Sequence, residues 1–367
     1  MIDRLTRYVG VRSLSREERE LADIVCADLE LAGLHVEREV NNVWCVLGDR
    51  PTPRLLLNSH LDTVPATAGW DGDAWTLRRD GDRLIGLGAN DAKGCVVAMI
   101  EAVLAIKRAL DAGAPLGGTV VLATTAEEEI SGHGLGTILE QLGPLDAALV
   151  GEPTDLVPMI AQRGLLILRG QARGRAAHPA NTPTDETNAI ATAARDIARL
   201  RDFDWGAPHA LLGRCHAHVT RIEGGVANNV VPDTCEFTID VRTTPAETHA
   251  ALTARLAAAM ESDVRVHSDR LVPVETDSNA PIVSAVLSAL PGSRATGSRA
   301  MSDMVYLGGI PAVKIGPGES ARSHTANEYI RVSELADGAS AYDRTIRAYF
   351  AATAGRESEV GASKVAR

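Results

Sequence analysis

The stretch RLLLNSHLDTVP (residues 54–65) contains an apolar run that leads directly into His60 and Asp62. A short apolar run bounded by a break is typical of a buried strand in a parallel sheet. A helix that is apolar almost all round is predicted over 94–112. Further strands of the same kind are predicted at TVVLATT (119–125), AALVGE (147–152) and PAVKIG (311–316). This alternation predicts an α/β fold with a mostly parallel sheet.

The order of elements changes between residues 164 and 275. The pattern there predicts strand, helix, strand, strand, helix and strand in succession, at 164–174, 185–201, 215–223, 234–243, 245–261 and 264–272. This βαββαβ order is the split arrangement of a ferredoxin-like domain. Because a helix near 280–290 returns to the α/β style, the βαββαβ segment is predicted to be an insertion. We therefore expect a catalytic domain of residues 1–163 and 276–355, an inserted lid or dimerisation domain of residues 164–275, and a disordered tail over residues 356–367.

Composition narrows the classes of function. The 367 residues are 45% hydrophobic and 23% charged, with a net charge of −11. No apolar run approaches the ~18 residues of a membrane helix, and the N-terminal residues lack the apolar core of a secretory signal, so a soluble cytoplasmic protein is expected. The negative charge, with no Lys/Arg cluster, argues against a nucleic-acid partner. The five cysteines form no C-x-x-C pair, which argues against a thiolate zinc site.

Histidine and acidic side chains follow four of the predicted strands. They are His60 and Asp62, the triplet Glu127–Glu129, Glu152, and His324 in ARSHTANEY. In open α/β sheets, ligands bind outside the carboxyl ends of the strands. We therefore expect these side chains to converge, together with Asp91, which lies in GLGANDAKG between a glycine-rich loop and the predicted helix.

Each of these segments has an ordinary explanation when taken alone. His60 and Asp62 would be a surface pair, and Glu127–Glu129 a solvated acidic run. The glycines before Asp91 suggest a phosphate loop, but the segment lacks the third spaced glycine and the Gly-Lys-Ser/Thr ending. In combination, two histidines and several acids without a thiolate form the nitrogen and oxygen ligand set that hydrolytic zinc prefers. The combination favours a metal site.

The chain resembles the two-zinc amidohydrolase and metallopeptidase family, which includes acetylornithine deacetylase, succinyl-diaminopimelate desuccinylase, aminoacylase and carboxypeptidase G. The motifs that carry the resemblance occur in the family's order across nearly the whole chain: NSHLDTVP, GLGANDAKG, AEEE, GEPT and SHTANEY. Within the family, the stretches GWDGDAWTLRRDGDRLIGLGAND and GPGESARSHTANEY look most like acetylornithine deacetylases and their acetylcitrulline or succinylornithine relatives.

The resemblance implies a centre of two zinc ions, for which cobalt may substitute. Asp91 would bridge the two ions, His60 and Glu152 would complete one site, and Glu129 and His324 would complete the other. Each ion would then have three protein ligands and one open position.

The resemblance also implies roles beside the metal ligands. Glu128 would be the general base. The triple Glu can also be aligned with Glu127 as the base and Glu128 as the ligand, but the spacing to Gly134 favours the first alignment. Asp62 lies two residues from His60, so in an extended segment it falls on the same face and is expected to accept the other ring N–H.

In the inserted domain, GRAAHPAN, GGVANNVVP and DVRTTP resemble further family motifs. They imply that His178 stabilises the oxyanion and that Asn229 and Arg242 bind the substrate carboxylate. A homodimer in which His178 reaches the partner's site is expected, and a monomer whose lid closes on its own site is the alternative. The histidines that match no motif are expected to be structural or exposed: His35, His133, His209, His216, His218, His249 and His267.

These features predict an enzyme that hydrolyses the amide bond of an N-acyl amino acid, with N2-acetyl-L-ornithine of arginine biosynthesis as the first candidate. The alternatives are deacylation of acetylcitrulline, succinylornithine or an N-acyl-lysine, and a dipeptidase or carboxypeptidase activity. A non-catalytic homologue is disfavoured, because every ligand position and the base position are filled.

Overall fold

Helices and strands alternate along the computed structural model, which describes residues 1–130, 132, 134–182 and 184–365, with side chains up to residue 354. The helices are α1 (Ile2–Val9), α2 (Arg19–Leu31), α3 (Lys93–Asp111), α4 (Leu135–Ile138), α5 (Ala189–Asp202), α6 (His249–Ala259), α7 (Pro281–Ala289) and α8 (Val332–Val365).

The strands are mostly short. They are β1 (Val36–Glu39), β2 (Asn42–Gly48), β3 (Arg54–His60), β4 (Arg78–Asp80), β5 (Arg83–Ile85), β6 (Thr119–Thr125), β7 (Ala147–Val150), β8 (Met159–Gln162), β9 (Gly164–Arg173), β10 (His216–Gly224), β11 (Thr234–Thr243), β12 (Asp263–Leu271), β13 (Val274–Glu275), β14 (Thr296–Ser298), β15 (Ala312–Lys314) and β16 (Tyr329–Arg331).

The chain divides into two compact units. The first comprises Met1–Ile160, Thr276–Thr296 and Ser302–Arg367, and the second comprises Ala161–Glu275 and Gly297–Met301. Nothing in the sequence pattern indicates that Gly297–Met301 belongs with the second unit.

The first unit is built on a sheet in which β1, β2, β6, β3, β7 and β15 lie side by side. The neighbours β6, β3, β7 and β15 are parallel, whereas β1 and β2 pair antiparallel at one side. Strands β6 and β7 are buried at every position, which explains why they appear in the sequence as unbroken apolar runs. The predicted fold class, α/β with a mostly parallel sheet, is confirmed.

Parallel pairing brings three strand ends to one edge of this sheet. His60 is the last residue of β3 and pairs with Thr125, the last residue of β6. β7 ends at Val150, two residues before Glu152. Helix α3 begins at Lys93, just after Asp91, and buries most of its length. The side chains that follow these elements therefore share one edge of the sheet.

The second unit contains a four-stranded antiparallel sheet in the order β10, β11, β9, β12, with α5 and α6 between its strands in the chain. This is the βαββαβ arrangement that the pattern predicts. Alternate residues of β9 and β11 are buried, and Leu168, Phe237 and Leu252 belong to one core cluster. Helix α5 is capped by Asn188, whose side chain accepts the N–H groups of two residues in its first turn.

The C-terminal helix α8 is described as far as Val365, with side chains only up to residue 354, and residues 366 and 367 lie outside the described part of the chain. The disordered tail expected over residues 356–367 stays a prediction. Within the described residues, no helix is both long and apolar enough to cross a membrane.

Candidate metal centre

His60 lies at the end of β3 and is 1% exposed. Its Nδ1 is 2.9 Å from the main-chain oxygen of Asp62. Because a carbonyl oxygen only accepts, a proton of the ring must sit on Nδ1, which leaves Nε2 as the ring nitrogen that can bind a metal ion. Nε2 lies 3.2 Å from Oδ1 of Asp91 and 4.0 Å from Oε1 of Glu152.

A second group of donors forms around His324. Its Nε2 lies 3.0 Å from Oε1 of Glu129 and 3.7 Å from Oδ2 of Asp91. The carboxylate of Asp91 therefore has one oxygen facing each histidine, with Glu152 beside one imidazole and Glu129 beside the other. This arrangement matches the division of ligands that the resemblance implies. We refer to these five residues as the metal centre: His60, Asp91, Glu129, Glu152 and His324.

Asp91 is held in place by Glu328, a residue for which the sequence predicts no role. Oε1 of Glu328 accepts the main-chain N–H groups of Asn90 and Asp91, at 2.9 and 2.8 Å. Glu328 is 2% exposed, and burial raises its pKa to about 8, with the nearby charge of Asp91 acting in the same direction. Glu328 lies four residues after His324 in the motif SHTANEY, so that motif was the sequence signal that could have identified it.

The three consecutive glutamates after β6 point in different directions. Glu127 has a positive φ of 54°, and its Oε2 lies 3.5 Å from Nε of Arg16. Glu129 contacts His324, as described above. Ligand atoms of His60, Glu128 and Glu152 all lie within 4.8 Å of one another. The metal centre therefore has Glu128 and Glu129 beside it, as in the preferred alignment, while Glu127 faces Arg16.

Asp62 lies against the ring of His60, on the side the sequence predicts. Nδ1 of His60 is 2.9 Å from the main-chain oxygen of Asp62 and 3.4 Å from its carboxylate Oδ1. The carboxylate also accepts the main-chain N–H groups of Glu128 and Glu129, at 3.0 and 3.1 Å, and the hydroxyl of Ser15 at 2.6 Å. Asp62 thus orients the imidazole and also holds the loop that carries Glu128 and Glu129.

The N-terminal residues hold the same loop from the other side. Glu18 is fully buried, and its Oε1 accepts the main-chain N–H of Glu127 at 3.1 Å. Its Oε2 accepts from the side chain of Asn41 at 2.9 Å. No motif pointed to Glu18, because its partner lies more than a hundred residues away in the sequence.

Negative charge accumulates at the metal centre. Burial, followed by the repulsion of Glu152, raises the pKa of Glu128 well above its usual range. Burial likewise raises the pKa of Glu152 to about 8, and Asp91 adds to the shift. One buried cation, Lys314 at the end of β15, lies close enough to lower the pKa of Glu152 by its charge. Buried acids that repel each other in this way are relieved by bound cations.

The donor set fits divalent metal ions. It supplies two imidazoles and three carboxylates without a thiolate, which suits zinc and similar hydrolytic metals. The tautomer of His60 is fixed by a main-chain acceptor, as is usual for a histidine that binds metal.

The three residues predicted in the inserted domain lie in the second unit. His178 is exposed, and its Nδ1 accepts the main-chain N–H of Ala180 at 3.2 Å. Asn229 is exposed in the connection between β10 and β11. Arg242 lies on β11 and donates to both carboxylate oxygens of Asp240, at 2.8 and 3.2 Å.

Two of the histidines that match no family motif, His249 and His133, were expected to be structural or exposed. His249 is buried between Thr243 and the main-chain oxygen of Asp269, at 2.8 and 2.9 Å, which is a structural role as expected. His133 lies outside the described residues.

The fold and the donor set define a class: an α/β protein with a largely buried cluster of carboxylates and imidazoles, suited to metal ions, at the carboxyl edge of its sheet. Residues 56–348 match the model of Peptidase family M20/M25/M40. The chain belongs to this family.

Named relatives fall into two activity groups. The chain is 32% identical to an acetylornithine deacetylase of Myxococcus xanthus, covering 90% of this chain and 92% of the relative. It is 29% identical to an N-acetyl-L-citrulline deacetylase of Xanthomonas campestris pv. campestris, covering 78% and 79%. An M20 family metallo-carboxypeptidase from Sulfolobus solfataricus has the same fold, with a TM-score of 0.74 at 18% identity over 95% of this chain and 99% of that one.

Proposed function

We propose that this protein hydrolyses the amide bond of an N-acyl amino acid, with two zinc ions held by the metal centre. The observation that carries the proposal is the convergence of the five donors and Glu128 at one sheet edge. When bound there, the two ions would polarise the scissile carbonyl and make water a nucleophile at neutral pH. The deacetylase relatives favour N2-acetyl-L-ornithine as the first substrate to test, a reaction of cytoplasmic arginine biosynthesis.

Glu128 would take the proton from the attacking water and pass it to the leaving amine. Its raised pKa suits that exchange, because a general base works best when its pKa is near the working pH. Asp62 would keep Glu128 in position through the main-chain bonds of the loop.

The second unit would supply recognition. His178 would donate to the oxyanion, and Asn229 with Arg242 would hold the substrate carboxylate, as the family motifs imply. We further propose a homodimer formed through this unit. Its edge strands β10 and β12 carry the exposed apolar residues Ile222 and Val266, which are 52% and 46% exposed, and exposed edge strands can pair with a copy of themselves.

A second candidate is a carboxypeptidase or dipeptidase, favoured by the metallo-carboxypeptidase neighbour. It would use the same metal centre and base but recognise a peptide. The two candidates differ in what lies on the acyl side of the scissile bond.

The test is a comparison of kcat/KM for N2-acetyl-L-ornithine, N2-acetyl-L-citrulline and a set of dipeptides, using purified protein loaded with zinc or cobalt. We expect release of the acyl group to be faster for the N-acyl amino acids than for any dipeptide. Faster hydrolysis of dipeptides would replace the deacylase proposal by the peptidase candidate.

A further inference from the structure

The metal centre draws its side chains from separate segments of the first unit, and one buried amide joins two of these segments. Asn90 precedes Asp91 in the chain and is fully buried, at 0% exposure. Its side chain hydrogen-bonds within residues 318–323, the segment that leads directly into His324. Asn90 therefore connects the loop of one metal-centre residue to the loop of another.

Both ends of the Asn90 amide are used in this connection. Oδ1 accepts the main-chain N–H of Glu319 at 3.0 Å, and Nδ2 donates to the main-chain oxygen of the same residue at 3.1 Å. Nδ2 also donates to the hydroxyl oxygen of Ser323, the residue before His324, at 3.3 Å. Because a main-chain N–H only donates and a carbonyl oxygen only accepts, neither a carboxylate nor an apolar side chain could make both bonds to Glu319.

The packing around this amide is tight. Gly318 has a φ of +85°, a backbone conformation that glycine adopts readily and other residues rarely do. A Cβ at this position would also overlap Oδ1 of Asn90. The close approach of the two segments thus depends on the residue present on each side of the contact.

A different bond holds the same segment to a third loop of the metal centre. The hydroxyl of Ser320 donates to the main-chain oxygen of Pro153 at 2.6 Å. Pro153 directly follows Glu152 in the chain. Ser320 therefore ties residues 318–323 to the loop of Glu152, while Asn90 ties them to the loop of Asp91.

Asp91 itself is fixed independently of the Asn90 side chain. Oε1 of Glu328 accepts the main-chain N–H groups of Asn90 and Asp91, so a change confined to the side chain of Asn90 leaves this anchor in place. His324 differs, because its side chain is 51% exposed and its φ is +60°. Little packing surrounds its ring, so its position depends on how the main chain around it is held.

We propose that Asn90 is a positioning residue of the metal centre, and that its amide holds residues 318–323 so that the ring of His324 stays beside Glu129. The metal ion on the His324 side then depends on Asn90 more than the ion on the His60 side does. The inference rests on the proposed function for the ions, whereas the placement of His324 is a property of the chain alone.

The first test measures amide hydrogen exchange in the metal-free protein. In Asn90→Ala, the amide of Glu319 should exchange about 10-fold faster than in the wild type, since it loses its hydrogen-bond acceptor. The amide of Asp91 should keep its rate, because Glu328 still accepts it. Wild-type exchange of Glu319 in the variant would overturn the inference.

The second test measures the affinity and the absorption spectrum of each bound ion by titration with cobalt. In Asn90→Ala we expect one of the two ions to bind ~10–100-fold more weakly, and it should be the ion whose spectrum is lost in Glu129→Ala. Asn90→Asp keeps the size of the side chain but sets an oxygen against that of Glu319, so the same ion should be weakened.

Asn188→Ala is the matched control for the loss of an asparagine that bonds to the main chain. Asn188 caps α5 in the second unit, so both ions should bind to this variant as to the wild type. This control separates a local effect on the metal centre from a general loss of stability.

Two results of the titration would overturn the inference. Equal weakening of both ions would mean that Asn90 acts through Asp91, which faces both histidines. Wild-type affinity for both ions in Asn90→Ala and Asn90→Asp would mean that His324 is held without the amide. If the wild type binds no metal, the proposed function has failed, and the exchange rate of Glu319 alone decides whether Asn90 holds the segment.

Discussion

The two units of this protein hold polar residues of opposite charge. The metal centre of the first unit is acidic, and its members are mostly buried, although His324 is half exposed. A cavity of the second unit, lined by Arg163, His216, Arg242 and Arg299, is basic and lies in a unit whose strands β10 and β12 are largely exposed. The comparison shows that the first unit concentrates groups suited to bound cations, whereas the second concentrates guanidinium groups.

The largest expected effect comes from substitution of Glu128 and Glu129, two neighbouring residues of the first unit that should differ in their effect on bound metal. Glu128→Gln should lower kcat by ~10²–10⁴, the usual contribution of a general base, while metal content stays near that of the wild type. Glu129→Ala should lower kcat and also reduce bound metal, because it removes the carboxylate that lies beside His324 in the metal centre. Steady-state kinetics and metal analysis of the same preparations measure both quantities.

Glu127→Gln is the matched control for that pair. Its carboxylate faces Arg16, so its kcat should stay within a few-fold of the wild type. If Glu127 proved essential and Glu128 dispensable, the assignment of the base would be wrong by one residue.

The second-largest expected effect tests whether His178 of one chain contributes to catalysis at the metal centre of the other chain in a dimer. His178→Ala should lower kcat by ~10²–10³, as expected for loss of an oxyanion donor. Mixing this variant with Glu128→Ala under subunit exchange should restore about a quarter of wild-type activity at equal amounts, because half of the dimers would contain one intact site. No recovery despite proven exchange would mean that His178 serves its own chain.

A smaller effect is expected from substitution of Asp62, which holds the loop of Glu128 and Glu129. Asp62→Asn keeps the size of the side chain but provides only one oxygen for the N–H groups of Glu128 and Glu129. We expect a fall of ~10–100-fold in activity or metal affinity, typical of residues that support a metal centre. Ser15→Ala, which removes only one hydrogen bond to Asp62, should cost less. Kinetics like the wild type in Asp62→Asn would exclude the positioning role.

Much of the first unit was accessible from the sequence. Buried parallel strands appear as apolar runs, so the ends of β3, β6 and β7 could be located, and the residues that follow them had to lie at one edge. The family motifs then implied how His60, Asp91 and the other donors divide into two groups.

The supporting contacts were not accessible in the same way. Glu18 and Glu328 hold the main chain of Glu127 and Asp91 from 109 and 237 residues away, and no local pattern reports such a pairing. The side chain of Asp62 does face the ring of His60, but side-chain spacing does not reveal that the main-chain oxygen of Asp62 lies nearer still, or that its carboxylate holds the loop of Glu128 and Glu129. The cavity lined by Arg163, His216, Arg242 and Arg299 joins a residue just before β9, residues of β10 and β11, and the Gly297–Met301 segment, so it exists only in the folded unit.

The central claim is that the five residues of the metal centre hold catalytic metal ions. The most direct measurement is the number of metal ions per chain together with N-acyl amidohydrolase activity, before chelation, after chelation and after zinc is restored. We expect two ions per chain, loss of activity with their removal and recovery on adding zinc, accompanied by a fall in stability of the chelated protein of about 2.7 kcal/mol or more where free metal had been ~100-fold above its dissociation constant. Full activity in chelator, with no metal bound, would contradict the account.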